Sequence, residues 1–161
     1  MISRRPRTIR SAPGFTVLNG HAECCLQVET SGQGFTDISH EAAAFLADSG
    51  AVSGLLTLFC RHTSAALCIQ ENADPAVQHD LLTALNQFAP RSFAWTHDDE
   101  GPDDMPAHIR AMLGDVSLSI PVSNGRMMLG TWQGIYLAEH RDRPHQRELI
   151  LTFTGHMRDL C

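Results

Sequence analysis

Imidazole and carboxylate side chains crowd into one stretch of this sequence: His97, Asp98, Asp99, Glu100, Asp103, Asp104 and His108 fall within twelve positions. Five carboxylates in the seven positions 98–104 repel one another unless a cation or arginines compensate them. Carboxylate mixed with imidazole suits Zn2+ or Mn2+, whereas carboxylate alone suits Mg2+. On the short helix expected from Met105 to Leu113, His108 sits at the edge of the stripe Met105, Ile109, Met112 and Leu113, and so is expected to face the protein body. His79 lies off the stripe Val77, Leu81, Leu85 and Phe88 of another helix and is expected to face water or a neighbouring subunit. His79, His97 and His108 are therefore the expected metal ligands, leaving a fourth position for water or a phosphate oxygen. Asp80, Asp98 and Glu100 are candidates to orient the imidazoles, and His62 and His140 are held in reserve as ligands or anion binders.

Three further segments carry polar groups that a plain scaffold does not need. Arg61-His62-Thr63-Ser64 ends the most apolar strand, placing His62 on the face of Leu56, Leu58 and Cys60 and two hydroxyls where they form a turn or bind phosphate. Glu71-Asn72 precedes Asp74-Pro75, a helix N-cap followed by proline at the first helical position. Gly130 to Arg141, read as one extended strand, puts Trp132, Gly134, Tyr136, Ala138 and His140 on one face, with Gln133, Glu139 and Arg141 on the other. Gly134 marks a close approach of backbone or ligand, and Trp132 is read first as core and second as a platform for a planar heterocycle.

Composition narrows the chemistry. All 12 Lys+Arg residues are arginine, which excludes Schiff-base catalysis, a GK[ST] phosphate loop and a lysine general base. A net charge of −6 argues against a nucleic-acid binder, since phosphate neutralisation dominates that affinity. The five cysteines form no CxxC pair and are expected to be buried thiols in a reducing compartment. No stretch is long and apolar enough to span a membrane, so the expectation is a soluble cytoplasmic protein.

The elements that must position these residues follow from patterning. Residues 1–13, with Arg4, Arg5, Arg7 and Arg10, are expected to be a flexible leader, and residues 14–161 a single domain. Phe15 to Thr30 is read as two short strands split at Asn19-Gly20. A helix capped by Asp37 or Ser39 follows and is ended by Gly50. Gly54 to His62 is a buried strand with Ala65 to Gln70 as its partner, and a helix then runs from Asp74-Pro75 to Phe88. Strands are expected at Val116–Val122, Arg126–Arg141 and Arg147–His156, with a turn at Ser123-Asn124-Gly125. Helices and strands segregate, which predicts an α+β fold with mainly antiparallel sheets and two or three helices.

At its polar segments the chain resembles the YjbQ family, also called the secondary thiamine-phosphate synthase family. The resemblance rests on HTSAALCIQENADPAVQHDL (His62–Leu81), HDDEGPDDMPAHIRAMLG (His97–Gly114) and GRMMLGTWQGIYLAEHR (Gly125–Arg141), in that order. It implies a compact α+β fold assembled as a homotrimer, with a pocket where the motifs converge between subunits and a metal or oxyanion near the histidines. It also implies a weak transferase that joins hydroxymethylpyrimidine diphosphate to thiazole phosphate and releases pyrophosphate. On that reading His62, Thr63, Ser64, Glu139, His140 and Arg141 carry catalysis, with the diphosphate on Arg141, Thr63 and Ser64. Asn72, Trp132, Gln133 and Gly134 would bind substrate, and a divalent metal would be the cofactor. The alternative is a trimeric metal- or small-ligand-binding protein without physiological turnover.

Overall fold

The structure, a computed structural model, describes residues 11–15 and 17–158. The arginines of the expected leader and Cys161 lie outside these residues. Eight strands and three helices follow in the order β1 (Gly20–Thr30), β2 (Gly34–Asp37), α1 (Ser39–Asp48), β3 (Ala51–Cys60), β4 (Ala65–Glu71), α2 (Pro75–Phe88), α3 (Asp104–Ala111), β5 (Ser117–Ser123), β6 (Arg126–Met127), β7 (Gln133–Glu139) and β8 (His145–Met157). They form a five-stranded sheet, β1-β8-β3-β5-β6, and a three-stranded sheet, β2-β7-β4. Every strand pairing is antiparallel, as the segregation of helices and strands predicts.

Alternation builds the core. Register sets Leu56 beside Phe153 and Ile120, and Leu58 beside Leu151 and Leu118, so one face of the large sheet is continuously apolar. Leu67, Ile135 and Leu137 of the small sheet, with Ile38, Ala42 and Leu46 around α1, join the same core. Alternate residues of the small sheet, among them Phe35, Cys68, Ala138 and His140, face the other way and line a cavity together with Leu81, Leu85 and Arg110 of α2 and α3. The small sheet is thus a central layer, sealed on one side and roofed on the other. α2 carries no fully buried residue, and Phe88, expected on its inner stripe, is 62% exposed.

Several expectations give way to tertiary pairing. Among the described residues of Phe15–Thr30 there is one strand rather than two. The Asn19 side chain donates to the Met157 carbonyl (3.2 Å) and accepts from the Met157 N–H (2.7 Å), which extends the β1–β8 ladder where a turn was expected. β4 pairs with β7 rather than β3, so His62-Thr63-Ser64 crosses between sheets. The expected strand 126–141 is broken for the same reason, since β6 belongs to the large sheet and β7 to the small one. The break is pinned by Gln133, whose Oε1 accepts from the Gly130 N–H at 2.7 Å. The Asn124-Gly125 turn is as expected, with both residues at positive φ (52° and 72°). Asp74 caps α2 through the Ala76 N–H (2.8 Å), and Asp37 accepts from the Ser39 N–H (2.8 Å) at the start of α1. The described cysteines are free; Cys60 is buried, but Cys25 is exposed because it alternates with Cys24 on the same strand.

Gly54 and Gly155 face each other across β3 and β8. A Cβ on Gly54 would lie 2.4 Å from the Thr154 carbonyl oxygen and 2.7 Å from Gly155 Cα, both backbone atoms that cannot swing aside. Gly54→Ala is expected to cost about 1–3 kcal/mol through forced separation of the central strands. Urea denaturation checks this, and a stability equal to the parent's would show that the ladder absorbs a methyl group there.

Candidate metal centre and its groove

α3 brings the site together. Asp104 opens the helix and His108 stands one turn on, so their side chains share a face. His97, from the acidic loop, folds back over them with its ring centroid 5.5 Å from that of His108. His97 Nε2 lies 2.8 Å from Asp104 Oδ2, and His108 Nε2 lies 3.6 Å from Asp104 Oδ1. One donor atom from each of the three falls within 4.8 Å of the others. Donors of a tetrahedral ion with bonds of 2.0–2.1 Å stand about 3.3 Å apart, so the spacing suits such an ion.

Two details favour coordination over simple ion pairing. Asp104 is 2% exposed, and its Oδ2 has no hydrogen-bond partner despite the nearby imidazole nitrogen. A buried carboxylate oxygen left in that state costs free energy unless something else engages it. In addition, His108 Nδ1 is 3.0 Å from the Thr63 carbonyl oxygen. A carbonyl only accepts, so Nδ1 donates to it and Nε2 is turned toward Asp104, the arrangement by which a backbone carbonyl orients a metal-binding imidazole.

The acidic loop is compensated by an arginine rather than left for a cation alone. Arg141 donates from Nε to Asp103 (2.9 Å), from Nη1 to Asp104 Oδ1 (2.5 Å) and Glu100 (3.3 Å), and from Nη2 to the Glu100 carbonyl (3.0 Å). Burial alone would raise the Asp103 carboxyl. The Asp142 N–H and Arg141 outweigh it and hold the group below the ordinary carboxylate range. Asp104 therefore divides its oxygens, Oδ1 to Arg141 with His108 beyond it, and Oδ2 toward the His97 imidazole. This leaves Arg141 far less available for a diphosphate than its place in the sequence implies.

Glu139 and Ser64 also turn inward. Glu139 Oε1 and Oε2 take a two-pronged contact from Arg147 (2.6 and 2.7 Å), and further bonds come from the Thr30 hydroxyl and the Arg141 N–H (both 2.9 Å). Arg147 reaches Ser64 Oγ as well, at 3.1 Å. The group is a fully bonded lock between the two sheets. His62 accepts the Glu148 N–H at Nε2 (2.7 Å), while burial first and Arg147 second push its pKa down. It lines, with Thr63, His108, Ala65, Met112 and Val116, a groove of about 480 Å3 beside the metal cluster. His140 is 2% exposed and stands apart in the cavity under α2.

The remaining candidates sit elsewhere in the chain. His79 is on the exposed side of α2, and within one chain Asp104, not His79, completes the set with His97 and His108. Asp80 and Asp98 are exposed and Glu100 serves Arg141. Asn72, Trp132, Gln133 and Gly134 gather at the start of β7, whereas Glu139, His140 and Arg141 follow its other end, roughly 20 Å away at 3.3 Å per residue. The close approach at Gly134 is internal, since a Cβ there would meet the Tyr136 ring (3.0 Å) and Asn72 Cβ (3.1 Å). Trp132 is 64% exposed in the turn before β7, which rules out the core role. Trp132→Ala is accordingly expected to change stability by less than about 0.5 kcal/mol. A loss of several kcal/mol in chemical unfolding would return it to the core. Arg110, which helical periodicity did not single out, is the largest buried surprise. It is 1% exposed and bonds the α2 carbonyls of Leu85 (3.3 Å) and Ala89 (2.7 Å).

A two-sheet α+β protein with a His–Asp–His cluster at the mouth of a groove is thus defined by its geometry. The chain belongs to the family described as UPF0047 protein YjbQ-like, which it matches over residues 25–156. It is 49% identical over 131 residues to the UPF0047 protein sll1880 of Synechocystis, covering 81% of this chain and 89% of that one. It is 42% identical over 131 residues to the UPF0047 protein YjbQ of Escherichia coli O157:H7, covering 81% and 95%. Among solved structures, an uncharacterised YjbQ/UPF0047 protein of Clostridium acetobutylicum superposes with a TM-score of 0.73 at 36% identity, over 82% of this chain and 98% of that one. A conserved hypothetical protein of Thermus thermophilus gives 0.71 at 39% identity, over 79% and 97%. No helix among the described residues is long and apolar enough to cross a membrane.

Proposed function

We propose that the protein holds a divalent cation, Zn2+ before Mg2+ or Mn2+, on His97, Asp104 and His108, and acts with it on a small phosphorylated molecule in the adjoining groove. Asp104 Oδ2 carries the reading, as a buried carboxylate oxygen without a hydrogen bond that faces the His97 imidazole, with His108 on the other oxygen of the same carboxylate. Imidazole in the set is what favours Zn2+, since Mg2+ takes oxygen donors.

The reaction we propose is the one the family resemblance implies. The thiazole nitrogen of the phosphorylated thiazole bonds to the methylene carbon of hydroxymethylpyrimidine diphosphate as the carbon–oxygen bond breaks, and pyrophosphate leaves with the bonding electrons. A bound cation would supply charge stabilisation for the departing oxygens. The chain's own residues orient and bind. The Thr63 carbonyl fixes His108, while His62 and Thr63 offer polar groups to the phosphate at the groove. Self-association as a homotrimer is part of the proposal, supported by Met112 and Val116, which are apolar, exposed and line the groove.

The second reading, a metal- or small-ligand-binding protein without turnover, is favoured by one observation: the groove lining contains no arginine, and Arg141 is already held by three carboxylates. Purified protein is assayed for metal by elemental analysis and for thiamine phosphate formation with and without chelator. Chelator-sensitive formation, and rescue of a thiamine auxotroph at native expression, supports the enzyme. Bound metal with rescue only on overproduction supports the binding protein, and no metal uptake overturns the metal site in both readings. A monomeric mass in light scattering overturns the trimer.

A further inference from the structure

Buried side-chain atoms without a hydrogen-bond partner are four among the described residues, and only Asp104 Oδ2 belongs to the metal cluster. The other three are Arg110 Nη1 and both ring nitrogens of His140, and both residues line the cavity between the small sheet and helices α2 and α3. The cavity measures about 130 Å3, room on the order of four waters or of a molecule with about six non-hydrogen atoms. Its remaining walls are mostly hydrocarbon: Phe35, Leu81, Leu85, Leu113 and Ala138.

The charge is the unusual part. Arg110 is 1% exposed, and among the described residues no carboxylate lies within 4.0 Å of its guanidinium. Its Nε and Nη2 are spent on the last carbonyls of α2, which explains two of its bonds but not the burial of a cation. Natural proteins bury charge next to its counter-charge, and here the chain supplies none in contact.

We infer that this cavity is a binding site for a short-chain monocarboxylate, its two oxygens taken by Arg110 Nη1 and a ring N–H of His140 and its hydrocarbon end seated among Phe35, Leu81, Leu85 and Leu113. Two orphan donor groups match the two oxygens of a carboxylate, which accepts from a guanidinium readily. A phosphate would bring four oxygens and up to two charges into a site with too few donors and apolar walls. The uncharged state of His140 is consistent with this, since burial first and Arg110 second bring its pKa down to about 4, leaving one ring N–H to donate at neutral pH. The site is distinct from the groove and requires no metal, so it stands whether or not the proposed function does.

The test is calorimetric titration of sodium butyrate into the full-length protein at pH 7, run with and without Zn2+. One butyrate per chain is expected, with a Kd in the micromolar-to-millimolar range that so small a ligand can reach, and with the same affinity in both metal states. Sodium phosphate at the same ionic strength is expected not to bind there or to compete. Arg110→Gln, which keeps an amide to cap α2 and removes the charge, is expected to weaken butyrate at least tenfold, as is His140→Leu. Leu81→Phe, which fills the cavity and leaves both polar residues in place, is expected to abolish binding and guards against a fold defect in the other two. Absence of butyrate binding in the parent overturns the inference. Undiminished binding in Arg110→Gln or in Leu81→Phe overturns it as well, and equal competition by phosphate overturns the carboxylate assignment.

Discussion

Glu139→Gln will destabilise the fold by about 3–5 kcal/mol, because it leaves Arg147, 5% exposed, as a buried charge without its counter-ion. The glutamine keeps the shape and can still meet Thr30 and the Arg141 N–H, so the loss reports charge rather than volume. The same variant has a signature in pH. Burial alone would raise the Glu139 carboxyl, but the Arg147 fork, the Arg141 N–H and the Thr30 hydroxyl outweigh it and hold the group below the usual carboxylate range. A carboxyl lowered in this way contributes stability above its unfolded pKa and loses it as pH falls through the folded value. Asp103 behaves alike, and His140, buried neutral at about 4, begins to cost stability at higher pH, from the ordinary histidine range downward. The parent should therefore weaken progressively on acidification, and Glu139→Gln should lose the Glu139 share of that slope while the Asp103 share remains. Denaturant titrations of both proteins at several pH values between neutral and strongly acid measure this. A cost under about 1 kcal/mol, or an unchanged acid slope, would show that the lock contributes little.

Metal uptake is the second large effect. Zn2+ is expected to bind at one ion per chain, and His97→Ala, His108→Ala and Asp104→Ala each to weaken it by more than the roughly 10–100-fold that loss of an outer partner costs. His79→Ala, remote from the cluster within the chain, should leave uptake unchanged. Asp104→Ala should also loosen the acidic loop, because Arg141 loses a carboxylate that the helix buries. Asp104→Asn separates these effects. It retains an oxygen for Arg141 at Oδ1 and offers an amide where the imidazoles need a carboxylate oxygen. Equal Zn2+ affinity in the Asn variant and the parent would remove Asp104 from the ligand set, and binding lost in His79→Ala would put the site at a contact between chains.

Local patterning was enough wherever a residue answers to its immediate neighbours. The N-cap at Asp74, the Asn124-Gly125 turn and the strand at β3 are legible because capping, positive φ and an apolar run are written within a few positions, although only one face of β3 is buried and Leu55 and Phe59 on the other are exposed. The same holds for the class of fold, since segregated helices and strands leave an antiparallel α+β arrangement. His97, Asp104 and His108 are visible in the sequence as donor types crowded into one stretch, though not as the group that the structure brings together. Local pattern gives Asp104 the role of an acid at a helix start and points to His79 as a ligand; within one chain it is Asp104 that lies with His97 and His108, a proximity that helical angle alone cannot measure.

Tertiary structure decided the rest, for one recurring reason: the two sheets exchange strands. Once β4 pairs with β7 and β6 stays with β5, His62-Thr63-Ser64 and the Met128–Trp132 turn become crossings, and the residues along one motif part company. Glu139 turns in to Arg147, His140 turns out to Arg110's cavity, and Arg141 returns to the acidic loop, although the three are consecutive in sequence. Arg110 shows the limit most sharply. Periodicity put Met112 and Leu113 on the inner face of α3, whereas Asp104, Ala107 and Arg110 are buried there. The inward face of α3 carries two charged residues beside Pro106 and Ala107 because it meets the end of α2 and Arg141, groups far away in the chain, and no local hydrophobic pattern encodes such partners. The sequence by itself determined the donor chemistry and the class of fold; which donors meet, and which charges are buried without company, was fixed only by the pairing of the two sheets.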